Sequence, residues 1–497
     1  MVLISLRNPS LLLAGILISG AIIPLQTLGD FSAAEAVDVT ITRPNIVVIM
    51  ADDLDMRSLN KLVKAGLAPN IKGKIIDKAV TFSNSFATFP LCCPSRTTFL
   101  TGQYPHNHGV MHNLLPEGGV AKFDDTSSIA TWLNETGYHT GFVGKYLNEY
   151  GVDTTQTYIP PGWDDWQATV GPSTYQMYSY VINDNGNLVT YGNNEKHYQT
   201  DIIALRAIQY VQERELDDDT PFFLYINPLA PHTDRTTSYC RMNYGVMQTV
   251  KPPARYIGTT DHIPLPKPPS FNEVDVSDKP KASVVEPMNP TQISCLDDHF
   301  HNRLESMRAV DDLVRKVVNN LNTYGELDRT VIVFTSDNGY LMGEHRFREK
   351  TRLYEESIRV PLYVVIPGVS KHTVNEMVLN NDLAPTFLEL ADAQSDVPVD
   401  GRSLIPLIED PALEWRKAFL IDTRGYSAVR TESYIYAFHH LTNETEMYDL
   451  LSDPYEISNV SARTPWVEKI HVLDELRMSL LDCVADTCRA LENQLPP

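Results

Sequence analysis

At 497 residues, with 43% hydrophobic and 21% charged side chains, the chain is sized for one large folded unit plus a smaller one. Its formal net charge of −22 argues against nucleic acid and against anionic membrane surfaces as partners. It argues more weakly against a long polyanionic substrate, since a basic pocket can sit inside an acidic shell.

The N-terminus carries Arg7, an apolar run over residues 11–23, Pro24 and then Ala34-Glu35-Ala36. This layout predicts a secretory signal peptide over residues 1–36, cut after Ala36. An uncleaved anchor helix is the alternative, but Pro24 and the small residues suit it poorly. No later segment is long and apolar enough to predict a membrane span.

Apolar, β-branched runs at 45–50, 222–226, 330–334 and 361–366 predict buried strands. Between them, 199–214, 301–321 and 381–391 read as helices. In 301–321 the spacing of Leu304, Met307, Val310, Leu313, Val314, Val317 and Leu321 marks one apolar face. Strands alternating with helices predict an α/β fold with a largely parallel central sheet flanked by helices. Residues 242–289, rich in Pro, Lys, Ser and Asp, read as a long surface excursion. It is either a neutral insertion or a wall of the active-site mouth. Past Ala393, short strand-like pieces at 418–422, 427–430, 434–439 and 446–449 precede a helix at 466–481. They predict a smaller C-terminal antiparallel sheet with a helix. The expected boundaries are therefore 37–395 for the catalytic α/β domain and 396–497 for the C-terminal subdomain.

Three sequons, at Asn134, Asn443 and Asn459, are expected N-glycosylation sites in a secreted protein. Of six cysteines, Cys483 and Cys488 can close a small loop and Cys240 and Cys295 a long one. That leaves the adjacent pair Cys92 and Cys93, which can bridge only with strain.

Ligand-binding residues in such sheets cluster just past the carboxyl ends of the strands. Here the runs end in Asp52-Asp53, in Gly144-Lys145, in a segment reaching His232, and in Asp337-Asn338. Asp52, Asp53, Asp337 and Asn338 supply only oxygen, which suits a hard cation and favours Ca2+ over Zn2+. Taken singly, each element also has a plain reading as a cap or turn.

The most specific element is Cys92-Cys93-Pro94-Ser95-Arg96, followed by Thr97-Thr98-Phe99-Leu100-Thr101-Gly102. It resembles the motif at which sulfatases have a cysteine oxidised to formylglycine. The resemblance runs on through Gly144-Lys145, residues 230–232 and 336–339, Lys350, and Met447-Tyr448-Asp449 with Asp453-Pro454 near the C-terminus. It looks closest to fungal and plant arylsulfatases and to N-acetylglucosamine-6-sulfatases, and it implies an alkaline-phosphatase-like fold.

The resemblance implies hydrolysis of sulfate esters, with a small aryl sulfate or a sulfated N-acetylglucosamine unit as substrate. Formylglycine made from Cys92 would be the nucleophile, at the start of a helix over 94–101. One Ca2+ would be held by Asp52, Asp53, Cys92, Asp337 and Asn338. Arg96 and Lys145 would stabilise the aldehyde hydrate, Lys350 would pair with sulfate oxygens, and His232 would protonate the leaving alkoxide. A formylglycine-generating enzyme would be the partner during maturation, and the destination would be extracellular or a vacuolar-lysosomal lumen. Many arylsulfatases have a histidine two residues after the lysine matched by Lys145; here Leu147 stands there and Asn148 follows, which leaves the base for sulfate elimination open. His345 and Arg346 are expected toward substrate, and His106, His108 and His112 as packed or rim residues. The competing functions are a phosphoester or phosphonate hydrolase and a non-catalytic binder of sulfated ligands.

Overall fold

Ten strands form one mixed sheet, ordered Thr373–Leu379, Val80–Phe86, Leu362–Val365, Thr330–Ser336, Asn45–Ala51, Phe222–Asn227, His139–Gly144, Asp165–Thr169, Val181–Asp184 and Asn187–Thr190. The computed structural model describes residues 39, 41–214, 220–237, 240–243 and 245–494. The expected leader at 1–36 lies outside the described residues.

The centre of the sheet is parallel: Asn45–Ala51 pairs on one side with Thr330–Ser336 and on the other with Phe222–Asn227, which in turn pairs with His139–Gly144. Antiparallel pairing begins with Leu362–Val365 on one flank and Val181–Asp184 on the other. All seven residues of Asn45–Ala51 are buried. Burial on both faces is what a central parallel strand requires, and its unbroken apolar run is the sequence sign of it. Successive side chains serve opposite cores. Val47 and Ile49 pack in the layer that holds Leu304, Val310 and Val317. Ile46 and Val48 pack in the layer of Phe99, Leu100 and Trp132.

The helix expected at 301–321 is longer and spans Pro290–Thr323. Asn289 and Gln292 form its capping box, with Pro290 in the first turn. Within a proline-rich stretch Pro290 reads as a breaker, whereas at a first helical position its fixed φ favours the helix. The bridge Cys240–Cys295 ties this helix to the start of the 242–289 excursion. The second expected bridge, Cys483–Cys488, is also present, and Cys92 and Cys93 are free and buried.

The C-terminal sheet is a four-stranded antiparallel meander of Ala418–Asp422, Tyr426–Thr431, Tyr434–His439 and Glu444–Asp449. Leu473, Leu476 and Leu480 of the helix Val467–Leu481 join its core. The last helix, Asp486–Glu492, is anchored by charge. Fully buried Arg416 donates to both carboxylate oxygens of Asp382 and to Oε2 of Glu492, each at 2.8 Å. Glu492 also accepts from the Tyr104 hydroxyl at 2.5 Å. Arg416→Met leaves Asp382 buried without its cation, while Glu492 keeps Arg402 at 2.7 Å, and unfolding free energy is expected to fall by about 3–5 kcal/mol. Urea denaturation checks this; a loss within about 0.5 kcal/mol of zero would show that the network contributes nothing net.

Candidate active site

Register in the parallel strands assembles the site. Ala51 lies opposite Ser336, so the next residues, Asp52-Asp53 and Asp337-Asn338, emerge side by side. Gly144 lies opposite Asn227 in the same way, which puts Lys145 beside the segment leading to His232. A Cβ on Gly144, where φ is +115°, would stand 2.1 Å from the Asn227 carbonyl oxygen, so this approach needs glycine. The helix Cys92–Thr101 begins at Cys92 itself, two residues earlier than expected, and ends at Gly102 with φ +68°. All ten of its residues are buried. Its N-terminal end, the positive end of the helix dipole, carries Cys92 beside the carboxylates.

The nine sequence-predicted catalytic and metal residues meet at this end of the sheet. Cys92 Sγ lies 3.6 Å from Asp52 Oδ1, 4.0 Å from Asp53 Oδ1 and 2.8 Å from Lys350 Nζ. Lys350 also pairs with Asp53, and Lys145 with Asp52. His232 Nε2 is 3.7 Å from Asp53 Oδ2, while its Nδ1 lies 2.8 Å from the Thr233 carbonyl oxygen. That contact fixes Nδ1 as the donor and presents Nε2 to the site. Arg96 is buried in the site, where its Nη2 has no hydrogen-bond partner. Its guanidinium donates to Asp337 Oδ2 at 2.9 Å and to Asn227 Oδ1 at 2.8 Å, with Asp52 3.8 Å away.

Burial works to raise Asp52, but Lys145, His232, Arg96 and Lys350 outweigh it and hold this carboxyl below its ordinary range. Asp53 is lowered against its own burial by Lys350 and His232. Asp337 goes the other way, to about 6, through burial and the adjoining charge of Asp52. Burial pushes the Cys92 thiol up to about 12 despite Lys145 and Lys350 beside it. A thiol kept protonated is a weak nucleophile. Burial pulls His232 down to about 4, against the pull of Asp52 and Asp53.

The donor set fits a hard cation. Three carboxylates and one amide converge, and the Oδ1 of Asn338 is buried with no hydrogen-bond partner. The Nδ2 of the same side chain is spent on Asp53 at 2.8 Å and on the Gly339 carbonyl at 2.9 Å. An orphaned buried carbonyl oxygen beside carboxylates is what an oxygen-ligated cation needs. Asp53 takes φ +65°, a left-handed conformation rare outside glycine, asparagine and aspartate.

Several residues of the site carry no motif signal. Arg303, on the long helix, donates to the Asp53 carbonyl at 2.5 Å and to Asp55 Oδ2 at 3.1 Å. Tyr175 places its ring 5.0 Å from Lys145 Nζ and accepts from Asn148 Nδ2 at 2.5 Å. Asn227 was legible, since it closes a strand at the same end of the sheet. Leu147 is buried. His345 and Arg346 do not face the site: His345 Nδ1 contacts Glu273 at 2.6 Å, and Arg346 donates to backbone carbonyls of residues 273, 274 and 285. His108 is packed, its ring nitrogen 3.0 Å from Thr98 Oγ1.

A cavity of about 610 Å³ is lined by Leu91, Asn148 and Thr351, close in the chain to Cys92, Lys145 and Lys350, though by none of the nine residues themselves. Arg235, Arg352, Arg424, His112 and His439 also line it, and Ser283 brings in the 242–289 excursion.

The chain matches the family model described as Sulfatase over residues 44–393. It matches the one described as N-sulphoglucosamine sulphohydrolase, C-terminal, over residues 343–484. It is 30% identical to an N-acetylglucosamine-6-sulfatase of Capra hircus over 90% of this chain and 85% of that protein. It is 31% identical to an arylsulfatase of Volvox carteri over 90% of this chain and 76% of that protein. Among solved structures, one in complex with its substrate D-glucosamine-2-N,6-O-disulfate superposes with a TM-score of 0.72 at 24% identity, covering 92% of this chain and 99% of that one.

Proposed function

The chain belongs to the sulfatase family and is a sulfuric ester hydrolase, and we propose that it acts on 6-sulfated amino sugars through a formylglycine made from Cys92 and one Ca2+. The observation that carries this reading is the placement of Cys92 at a helix N-terminus, with Lys350 at 2.8 Å and Asp52 at 3.6 Å. As a thiol this residue is a poor nucleophile. Formylglycine, once hydrated, supplies an oxygen nucleophile from the same carbon. Asp52, Asp53, Asp337 and Asn338, with the modified residue 92, would hold the Ca2+, which when bound supplies Lewis-acid polarisation of sulfate oxygens.

The side chains of the site then have separable tasks. Lys145 and Lys350 place positive charge near residue 92, where an anionic ester must dock. Arg96 holds Asp337 and Asp52 in position. His232 Nε2 delivers a proton to the leaving oxygen, and the negative charge of a bound ester favours the imidazolium that does so. Leu147, being apolar, takes no proton. The three arginines at the mouth, Arg235, Arg352 and Arg424, support a charged or hydroxyl-bearing sugar in preference to a bare aryl group. The named N-acetylglucosamine-6-sulfatase relative supports the same choice.

Extracellular or lumenal residence accords with the 1–36 leader pattern and the two disulfides. Of the three sequons, Asn443 sits exposed in the turn between two strands. The Nδ2 of Asn134 is bound to Asp164 at 2.6 Å and that of Asn459 to the Asp278 carbonyl at 2.8 Å. Asn443 is therefore the first glycan site we assign. A peptide map of protein secreted by its native host reads the leader cut, the glycan and residue 92 together. A peptide about 18 Da lighter than the thiol form is expected at residue 92. Paired with kcat/KM for N-acetylglucosamine 6-sulfate and 4-nitrophenyl sulfate, it tests both parts of the reading. Turnover of the aryl ester alone would sink the sugar assignment, and a native thiol would sink the formylglycine.

His232→Ala is expected to slow the sugar sulfate by about 10²–10⁴-fold, the usual worth of general-acid catalysis. The nitrophenyl ester, whose leaving group needs no proton, should lose less than about tenfold. Equal losses on both esters would remove His232 from that role.

A further inference from the structure

We propose that His345, Glu356 and Glu456 form a second metal site, apart from the catalytic cluster, that takes a divalent transition ion of the Zn2+ type. The three side chains come from separate places: the loop after Leu341–Met342, the short helix Glu355–Ile358, and the segment after the C-terminal sheet. One donor atom of each lies within 4.8 Å of the others. His345 and Glu456 are 0% and 1% exposed.

Two atoms of this group are buried without any hydrogen-bond partner, His345 Nε2 and Glu456 Oε1. Nδ1 of His345 is held at 2.6 Å by Glu273, and the ring is stacked on Tyr354 with centroids 3.8 Å apart. With Nδ1 spent as a donor to a carboxylate, Nε2 of the neutral ring is a lone pair beside two further carboxylates. Glu356 already pairs with Arg57 at 2.7 Å, whereas Glu456 has no ion pair among the described residues, and a cation at Nε2 supplies one. A carboxylate behind the far nitrogen of a metal-binding imidazole is the usual outer-shell device for fixing tautomer and ring direction.

One imidazole nitrogen with two carboxylate oxygens suits zinc better than calcium. Donors on one tetrahedral zinc lie about 3.4 Å apart, so the group closes by roughly an ångström, within the swing of two glutamates. A cavity of about 520 Å³ lined by Glu356, Pro454 and Tyr455 offers an entry path beside Glu456. A bound ion would clamp the loop that leads to Lys350 onto the segment that follows the C-terminal sheet.

The test uses full-length protein stripped of metal, then titrated with ZnCl2 and crystallised for anomalous scattering at the zinc edge. A peak between His345 and Glu456 is expected. Glu456→Gln keeps the shape and is expected to weaken zinc binding at this place by about 100-fold while Ca2+ binding is unchanged. A zinc peak confined to Asp52, Asp53 and His232, or equal zinc affinity in wild type and Glu456→Gln, would overturn the site. Because the crystallographic readout needs no variant, a poorly folding mutant does not blunt it.

Discussion

Replacing Cys92 with alanine should lower turnover of every sulfate ester by about 10⁴–10⁶-fold, the scale seen when a covalent nucleophile is removed. Stability should change little. Cys92 is fully buried, and the substitution deletes one sulfur atom whose nearest partners, Lys350 and Asp52, keep other bonds to each other's neighbours. The expected loss is about 1 kcal/mol, the scale of one buried methylene-sized group. Lys145 still pairs with Asp52 and Lys350 with Asp53, so the oxygen ligands stay in place. Turnover assays, a thermal melt and a Ca2+ titration on the same sample separate these effects. Activity within tenfold of wild type would refute a nucleophile derived from Cys92. Loss of folding together with activity would instead make this residue a packing element.

Asp53→Asn carries the second large effect. Asp53 Oδ1 accepts from Asn338 Nδ2 at 2.8 Å, and Lys350 pairs with the same carboxylate. The backbone is pinned as well, its N–H donating to Asp337 Oδ1 at 3.0 Å. Asparagine tolerates the left-handed conformation at φ +65°, so this substitution removes charge and keeps shape. Ca2+ affinity is expected to fall about 100-fold or more, because a hard cation is bound chiefly by charge. The rate should fall by about 10³-fold at limiting Ca2+, and stripping Ca2+ from the wild type with a chelator should reproduce the loss. Asp53→Ala should add about 1–2 kcal/mol of destabilisation, since alanine resists positive φ. Calorimetric titration with CaCl2 decides the matter; unchanged affinity in Asp53→Asn would place the ion elsewhere.

Local signals carried much of the fold. The strand Asn45–Ala51 was legible because burial on both faces demands an unbroken apolar run, and the helix face from Leu304 to Leu321 because one-sided burial demands a 3.6-residue period. The strands Val80–Phe86 and Thr373–Leu379 were not read. They mix buried, half-buried and exposed positions in polar company, and they become strands by pairing with each other and, for Val80–Phe86, with Leu362–Val365. Their partners lie nearly three hundred residues apart, beyond any local pattern.

The site divides along the same line. Residue identity by itself determined the chemistry on offer: the cysteine in a five-residue motif, the acidic pairs after apolar runs, the lysines and the histidine. Each follows a strand end or opens a helix, so its neighbourhood is written in adjacent residues. Only the tertiary structure decided that Arg96 faces Asp337 and Asp52, that Arg303 reaches the Asp53 carbonyl, and that His345 turns away toward Glu273 and Glu456. The direction of a long side chain depends on which partners burial brings within about 3 Å of it. In a buried site every charge must find its counterpart, and those counterparts come from strands, helices and loops far apart in the chain.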